Sequence, residues 1–185
     1  MSNQKRSCSF LAGGKLVAIL PTWGPIFSLE FLVKVHSFKV PRLQSHKWAE
    51  ILRFTTSDKD CCSIGDRIPS VMTHIDNGIA VQTQIGDNGN HFHIFPNIVR
   101  EEWQKIRIKQ FKSYDYTAQG YHYEFKTSLE RRRQWSVANN NPLTFTNVSV
   151  WLTAPIAPTG YLDMYLPPAN VTIRLLYIND KLIIK

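Results

Sequence analysis

The sequence lacks the features that announce a membrane span or a common catalytic centre. No apolar run approaches the roughly eighteen residues of a transmembrane helix. There is no G-x-S-x-G, no H-E-x-x-H and no glycine-rich phosphate loop. That removes the best-known hydrolase, zinc-protease and nucleotide-binding signatures. No segment keeps a helical apolar period with caps at both ends, and 98–105 has room for one helical turn at most. Acidic residues are few, 14 against 22 Lys and Arg, for a net charge of +8. Charged residues make up 19% and apolar ones 43%, so a packed core is expected rather than disorder. The 185 residues suit one domain, assigned to 14–185 with 1–13 as an N-terminal extension. Met1 to Leu20 reads as a poor secretion signal, because its longest apolar run is only Leu16–Leu20.

Cysteine is scarce. Cys8, Cys61 and Cys62 are an odd number, so at least one thiol is free or pairs with another chain. Adjacent Cys61 and Cys62 bridge each other only through a strained turn. A disulfide from one of them to Cys8 is geometrically easier, and inert thiols are the alternative. No C-x-x-C or H-x-x-x-H spacing offers a zinc site.

What the sequence has is alternation. Phe27, Leu29, Phe31, Val33 and Val35 are apolar, with Ser28, Glu30, Lys34 and His36 between them and Leu32 as the exception. This is a strand with one face in a core. The same period runs through Ile79–Ile85, His91–Ile94, Lys105–Lys109, Tyr121–Lys126, Asn147–Leu152 and Val171–Tyr177, and 48–55 reads as a further strand. Asp76-Asn77-Gly78 and Asp87-Asn88-Gly89-Asn90 carry turn chemistry between them. Short strands without helical crossovers predict an all-β, antiparallel β-sandwich or barrel.

Several segments, in order, resemble the laminin-G-like, concanavalin A-like jelly-roll modules of secreted invertebrate proteins. They are 20–25 leading into 27–35, Trp48-Ala49-Glu50-Ile51-Leu52-Arg53-Phe54-Thr55-Thr56, and Asp60-Cys61-Cys62-Ser63-Ile64-Gly65-Asp66-Arg67-Ile68-Pro69. Then come Asn88-Gly89-Asn90, 102–110, 145–151 and 171–178. The resemblance covers roughly 14–179. It implies a jelly-roll β-sandwich acting as an extracellular recognition module rather than an enzyme. Related modules often carry extra cysteines near Gln82 and His93; this chain has none there, which puts the pairing of Cys61 and Cys62 in doubt.

Catalysis fits poorly. Glucanases of this fold need paired carboxylates on one strand face, whereas Glu101 and Glu102 are adjacent and point to opposite faces of a strand. No catalytic residues are assigned. Metal fits weakly. His91 and His93, with His74 or His122, could offer imidazoles, though an exposed polar strand face is the simpler account. Calcium suits the loop carboxylates Asp58, Asp60 and Asp66, the alternative being solvated turn aspartates. His91-Phe92-His93 with Arg100, Glu101, Glu102 and Trp103 is similar to the galectin sugar site by residue type, but the galectin order is not met.

Binding has better support. Lys105, Arg107 and Lys109 share one strand face, and Arg131, Arg132 and Arg133 follow the next strand, so the two runs are expected to form one basic patch. Such a patch suits an acidic polysaccharide or an acidic protein partner. Nucleic acid is disfavoured, since no RNA-binding strand motif or helix-turn-helix is present. A long Pro-rich connection, 153–170, adds Tyr161 and Tyr165, and Trp151 falls on the polar parity of its strand. Sequons at Asn147 and Asn170 agree with a secreted context. The expectation is a non-catalytic extracellular module binding glycans or glycosylated surfaces. The alternative is a structural subunit that packs with copies or partners through sheet edges and the Pro-rich loop.

Overall fold

The computed structural model describes residues 8–9, 14–38, 47–57, 63–130, 133–153 and 169–184. Among them there is no helix. The strands are β1 (Cys8–Ser9), β2 (Lys15–Trp23), β3 (Phe27–Ser37), β4 (Trp48–Thr55), β5 (Ser70–His74), β6 (Gly78–Ile85) and β7 (Asn88–Phe95). They continue as β8 (Trp103–Asp115), β9 (Gly120–Leu129), β10 (Arg133–Asn139), β11 (Phe145–Leu152), β12 (Asn170–Ile178) and β13 (Lys181–Ile184). Sheet A has the order β1-β12-β3-β8-β9-β10, with β13 also on β12. Sheet B has the order β2-β11-β4-β5-β6-β7. The strand pairings are antiparallel, and the sheets pack as a jelly-roll sandwich.

The alternation read from the sequence becomes the core. Phe27, Leu29, Phe31, Val33 and Val35 of β3 are buried, beside Ile106 and Ile108 of β8 and Phe125 and Leu129 of β9. Sheet B contributes Leu52, Phe54, Val71, Ile79, Val81, Val148, Val150 and Leu152 to the same cluster. Burying each such side chain stabilises the fold by about 1.5–3 kcal/mol. At one end Trp23 packs on Phe27 and Phe54, with ring centroids 4.4 and 4.7 Å apart.

Three elements escaped the alternation for physical reasons. β2 holds Pro21 and is the edge of sheet B, where a missing N–H costs no ladder bond. β5 is buried on both faces, and its polar residues Ser70, Thr73 and His74 do not alternate with apolar ones. β10 is the edge of sheet A. One turn is also displaced. The β6–β7 turn lies at Gly86–Asp87, with Gly86 at φ 55°, and Asn88-Gly89-Asn90 is already strand.

A bulge in β4 has the largest consequence. Register against β5 shifts between Glu50 and Leu52. Glu50 and Arg53, three apart, therefore share the outer face of sheet B, where strict alternation would separate them. Both are fully buried, joined by Arg53 Nε to Glu50 Oε1 at 2.7 Å and Nη2 to Oε2 at 2.6 Å. Ser70 Oγ donates to Glu50 Oε1 at 2.7 Å.

Candidate anion-binding face

The outer face of sheet A is built by register. β3 sets Lys34 opposite Trp103, Leu32 opposite Lys105, Glu30 opposite Arg107 and Ser28 opposite Lys109. β9 sets Ser128 opposite Arg107 and Lys126 opposite Lys109. β12 adds Thr172 beside Lys34 and Arg174 beside Leu32. Lys105, Arg107 and Lys109 thus do share one face, as their spacing required. Lys126, Lys34 and Arg174 join them. The polar parity of their strands was the signal for all three, but only the register shows that they converge.

The cations are not equivalent. Glu30 holds two of them, with Lys105 Nζ at 2.5 Å and Arg107 Nε at 2.6 Å. Burial pushes the Glu30 carboxyl up, but the hydrogen bonds and charges of Lys105 and Arg107 outweigh it and keep its pKa below the ordinary 4.5. Lys34 and Arg174 flank the Trp103 ring, 5.1 and 4.6 Å from its centroid. Lys109 and Lys126 have no acid between them and no ion pair among the described residues. Like charges directly opposite on neighbouring strands are destabilising. This pair is the part of the face whose cations no acid among the described residues holds.

A cleft of about 290 Å³ opens beside Lys109, lined also by Ser28, Glu30, Tyr177 and Asp180. A bulge shapes it, because β12 slips register against β3 between Arg174 and Tyr177, with Leu175 at φ 53°. The following turn is pinned by Asn179, whose N–H donates to Ser28 O and whose Oδ1 accepts from Ser28 N, both at 2.8 Å.

Arg133 does not join this face. It shares the inward parity of Trp135, and its Nη1 donates to Pro96 O at 2.6 Å. The single patch expected from the arginine run is corrected for this residue; Arg131 and Arg132 lie outside the described residues. So do Tyr161 and Tyr165. Trp151 is half-buried on the outer face of sheet B, between Leu16 and Arg53. It is on the opposite side of the molecule from the lysines.

Of the three aspartates proposed as calcium ligands, Asp66 is the one among the described residues. Asp66 is buried, accepts from Ser57 Oγ at 2.5 Å and from Ser63 N at 2.7 Å, and so anchors its loop. Asp58, Asp60, Cys61 and Cys62 lie outside the described residues, and Cys8 is placed by backbone pairing to Ile173. His91 and His93 face inward and stack on Trp135 at 5.3 and 5.0 Å. The exposed polar face expected of them is corrected: they close the open side of the sandwich between its edge strands β7 and β10. Among the described residues no three His, Cys, Asp or Glu converge as metal ligands.

A hydroxyl–imidazole–carboxylate chain escaped the sequence reading because its members are far apart in the chain. His36 Nε2 lies 2.7 Å from Thr172 Oγ1, and Nδ1 lies 2.9 Å from Glu101 Oε1. The distances are those of a nucleophilic relay. The exposure is reversed: Thr172 is 8% exposed while the Glu101 side chain is 62% exposed. The chain therefore clasps β3, β12 and the β7–β8 connection together.

No family model matches this chain, and no curated protein matches it. Among solved structures it is similar to the botulinum neurotoxin type G receptor-binding domain, with a TM-score of 0.51 and 14% identity. That match covers 85% of this chain and 35% of the neurotoxin chain. Sheep galectin-11 matches at TM-score 0.47 and 9% identity, over 91% of this chain and 99% of that one. An alginate lyase from Alteromonas sp. 272 matches at 0.46 and 9%, over 85% and 71%. At such identities the likeness is one of fold.

Proposed function

We propose that the chain is a non-catalytic recognition module that binds acidic glycans on the outer face of sheet A. The observation that carries this reading is the Lys109–Lys126 pair. The two lysines stand opposite each other on β8 and β9 with no ion pair among the described residues, and Lys109 also lines a cleft. An extended chain of carboxylates or sulfates has the charge spacing to engage such a ridge, with Lys105 and Arg107 behind it. The fold is shared with 35% of the chain of the type G neurotoxin receptor-binding domain, which is compatible with the reading. An extracellular setting is supported by the Asn147 sequon, whose asparagine is exposed in β11 at φ 53° and open to glycosylation.

Immobilised heparin is the direct probe. The protein should stay bound above about 0.15 M salt, where weak surface attraction is screened. Lys109→Glu with Lys126→Glu should elute earlier, below that salt, with an unchanged melting curve. Elution of the wild type below physiological salt, or an unchanged double variant, overturns the assignment.

A further inference from the structure

The β8–β9 hairpin carries a second feature that the cationic face does not use. On β8 the inward parity runs Ile106, Ile108, Gln110, Lys112, Tyr114, and on β9 it runs Leu129, Thr127, Phe125, Tyr123, Tyr121. The first members of each run lie in the core. The last members do not, because the hairpin outruns its neighbours. β3 stops against β8 at Phe27–Gln110, and β10 stops against β9 at Asn139–Tyr123. Sheet B meets sheet A at the same level, where Gly86 N donates to Asn139 Oδ1 at 3.0 Å. Beyond that level β8 and β9 pair on alone to Asp115–Gly120.

The core-facing side of the overhang is therefore an open shelf of rings. Tyr114, Tyr116 and Tyr121 are 39%, 86% and 69% exposed. Tyr114 sits between the other two, edge to face with each at a centroid separation of 5.1 Å. The Lys112 ammonium lies 4.5 Å from the Tyr121 centroid. The turn that carries Tyr116 is held in shape: Asp115 Oδ1 accepts from Thr117 N at 2.8 Å and Ala118 N at 3.1 Å. A rigid group of large exposed rings is an interaction surface rather than ordinary solvent-facing polarity.

The ring chemistry selects the occupant. Each ring presents an electron-rich face and a hydroxyl at its rim. In the turn Thr117 and Gln119 are polar and Ala118 is the one aliphatic side chain, and His122 follows in β9. An amphipathic membrane anchor typically inserts leucine, phenylalanine or tryptophan. The matching surface is a pyranose ring, whose C–H hydrogens carry slight positive charge toward the aromatic face and whose hydroxyls reach the phenols. Tyrosine also brings large contact area for only two rotatable bonds. We propose that the exposed tyrosines of the β8–β9 hairpin form a stacking site for a neutral sugar ring. It shares the glycan chemistry of the reading above but lies on the other face of the same strands, so either site can fail alone.

Two neutral probes, cellohexaose and maltohexaose, and vesicles of phosphatidylcholine test it on the full chain carrying labelled tyrosines. The ring resonances of Tyr114, Tyr116 and Tyr121 should move with at least one hexasaccharide and not with vesicles. Tyr116→Ala with Tyr121→Ala should weaken that binding by about tenfold or more, in line with the strength of aromatic contacts. Heparin retention should be unchanged in this variant, because the lysines are intact, and the melting curve should be unchanged, because the rings are exposed. Ring signals that ignore both sugars, or that respond to vesicles alone, overturn the proposal. So does a double variant that binds the sugar as well as the wild type does. Elution of the wild type from heparin below physiological salt, with intact sugar shifts, overturns the lysine site and leaves this one standing.

Discussion

The two outer faces of the sandwich carry similar residue types and use them in opposite ways. On sheet A, Glu30 meets Lys105 and Arg107 where each side chain is about one-third exposed, 34%, 34% and 35%. On sheet B, Glu50 meets Arg53 with both side chains at 0%. Beside that pair Arg67 Nη1 donates to Gln82 Oε1 at 2.7 Å, and Gln82 Nε2 donates to Asn90 Oδ1. Water decides the difference. A charge in water is available to a ligand and contributes little to stability. A charge out of water must be matched within the protein and is then structural. Carboxylate–arginine pairs thus stay open to solvent on one sheet and form a fixed internal joint on the other.

The sharpest break in this comparison is Glu50→Gln. It removes the carboxylate that neutralises the buried Arg53 guanidinium, and a loss of about 3–5 kcal/mol is expected from urea unfolding. A change below about 1 kcal/mol would mean that the pair is hydrated, and the contrast between the faces would fall.

A smaller effect tests the inward-facing histidines. Burial holds the His93 imidazole below its ordinary pKa of 6.5. As pH falls, the unfolded chain therefore takes up the proton before the folded one does. Stability present above 6.5 should decline through the interval below it. His93→Gln should flatten that decline, read as the urea midpoint at several pH values. An unaltered slope would count against stacking on Trp135 as the cause of the burial.

The smallest change in stability is expected for Glu30→Gln, at most about 1 kcal/mol, because the pair it breaks is screened by solvent. Its effect on binding runs the other way. Removing the acid frees Lys105 and Arg107, so the salt needed to elute the protein from heparin should rise. A fall in retention would show that Glu30 positions the cations rather than competing for them.

The strands with one wet face were legible because side-chain direction has a period of two. β3, β8, β9 and the inward members of β11 were read from that alone, and β6 was legible because polar and apolar residues alternate in it although both its faces are buried. β5 was not, since Ser70, Val71, Met72, Thr73 and His74 do not alternate in polarity. The site divides in the same way. Lys105, Arg107 and Lys109 are neighbours within one strand, so local spacing was enough. Lys126 and Glu30 reach them across strands, and Arg133 turns away on the opposite parity. His91 and His93 were assigned to a common face correctly. Which face was wet depended on Trp135, an indole far along the chain.

The sequence by itself determined an antiparallel all-β domain, most of its core residues and the shared direction of three cations, because these follow from local alternation. Only the tertiary structure decided which lysine stands opposite which, that a bulge brings Glu50 to Arg53, and that the tyrosine hairpin extends past its cover. Each of these depends on the register between distant strands. Register is set by the packing of the whole core, and a slip of one residue would send every side chain of a strand to the other face.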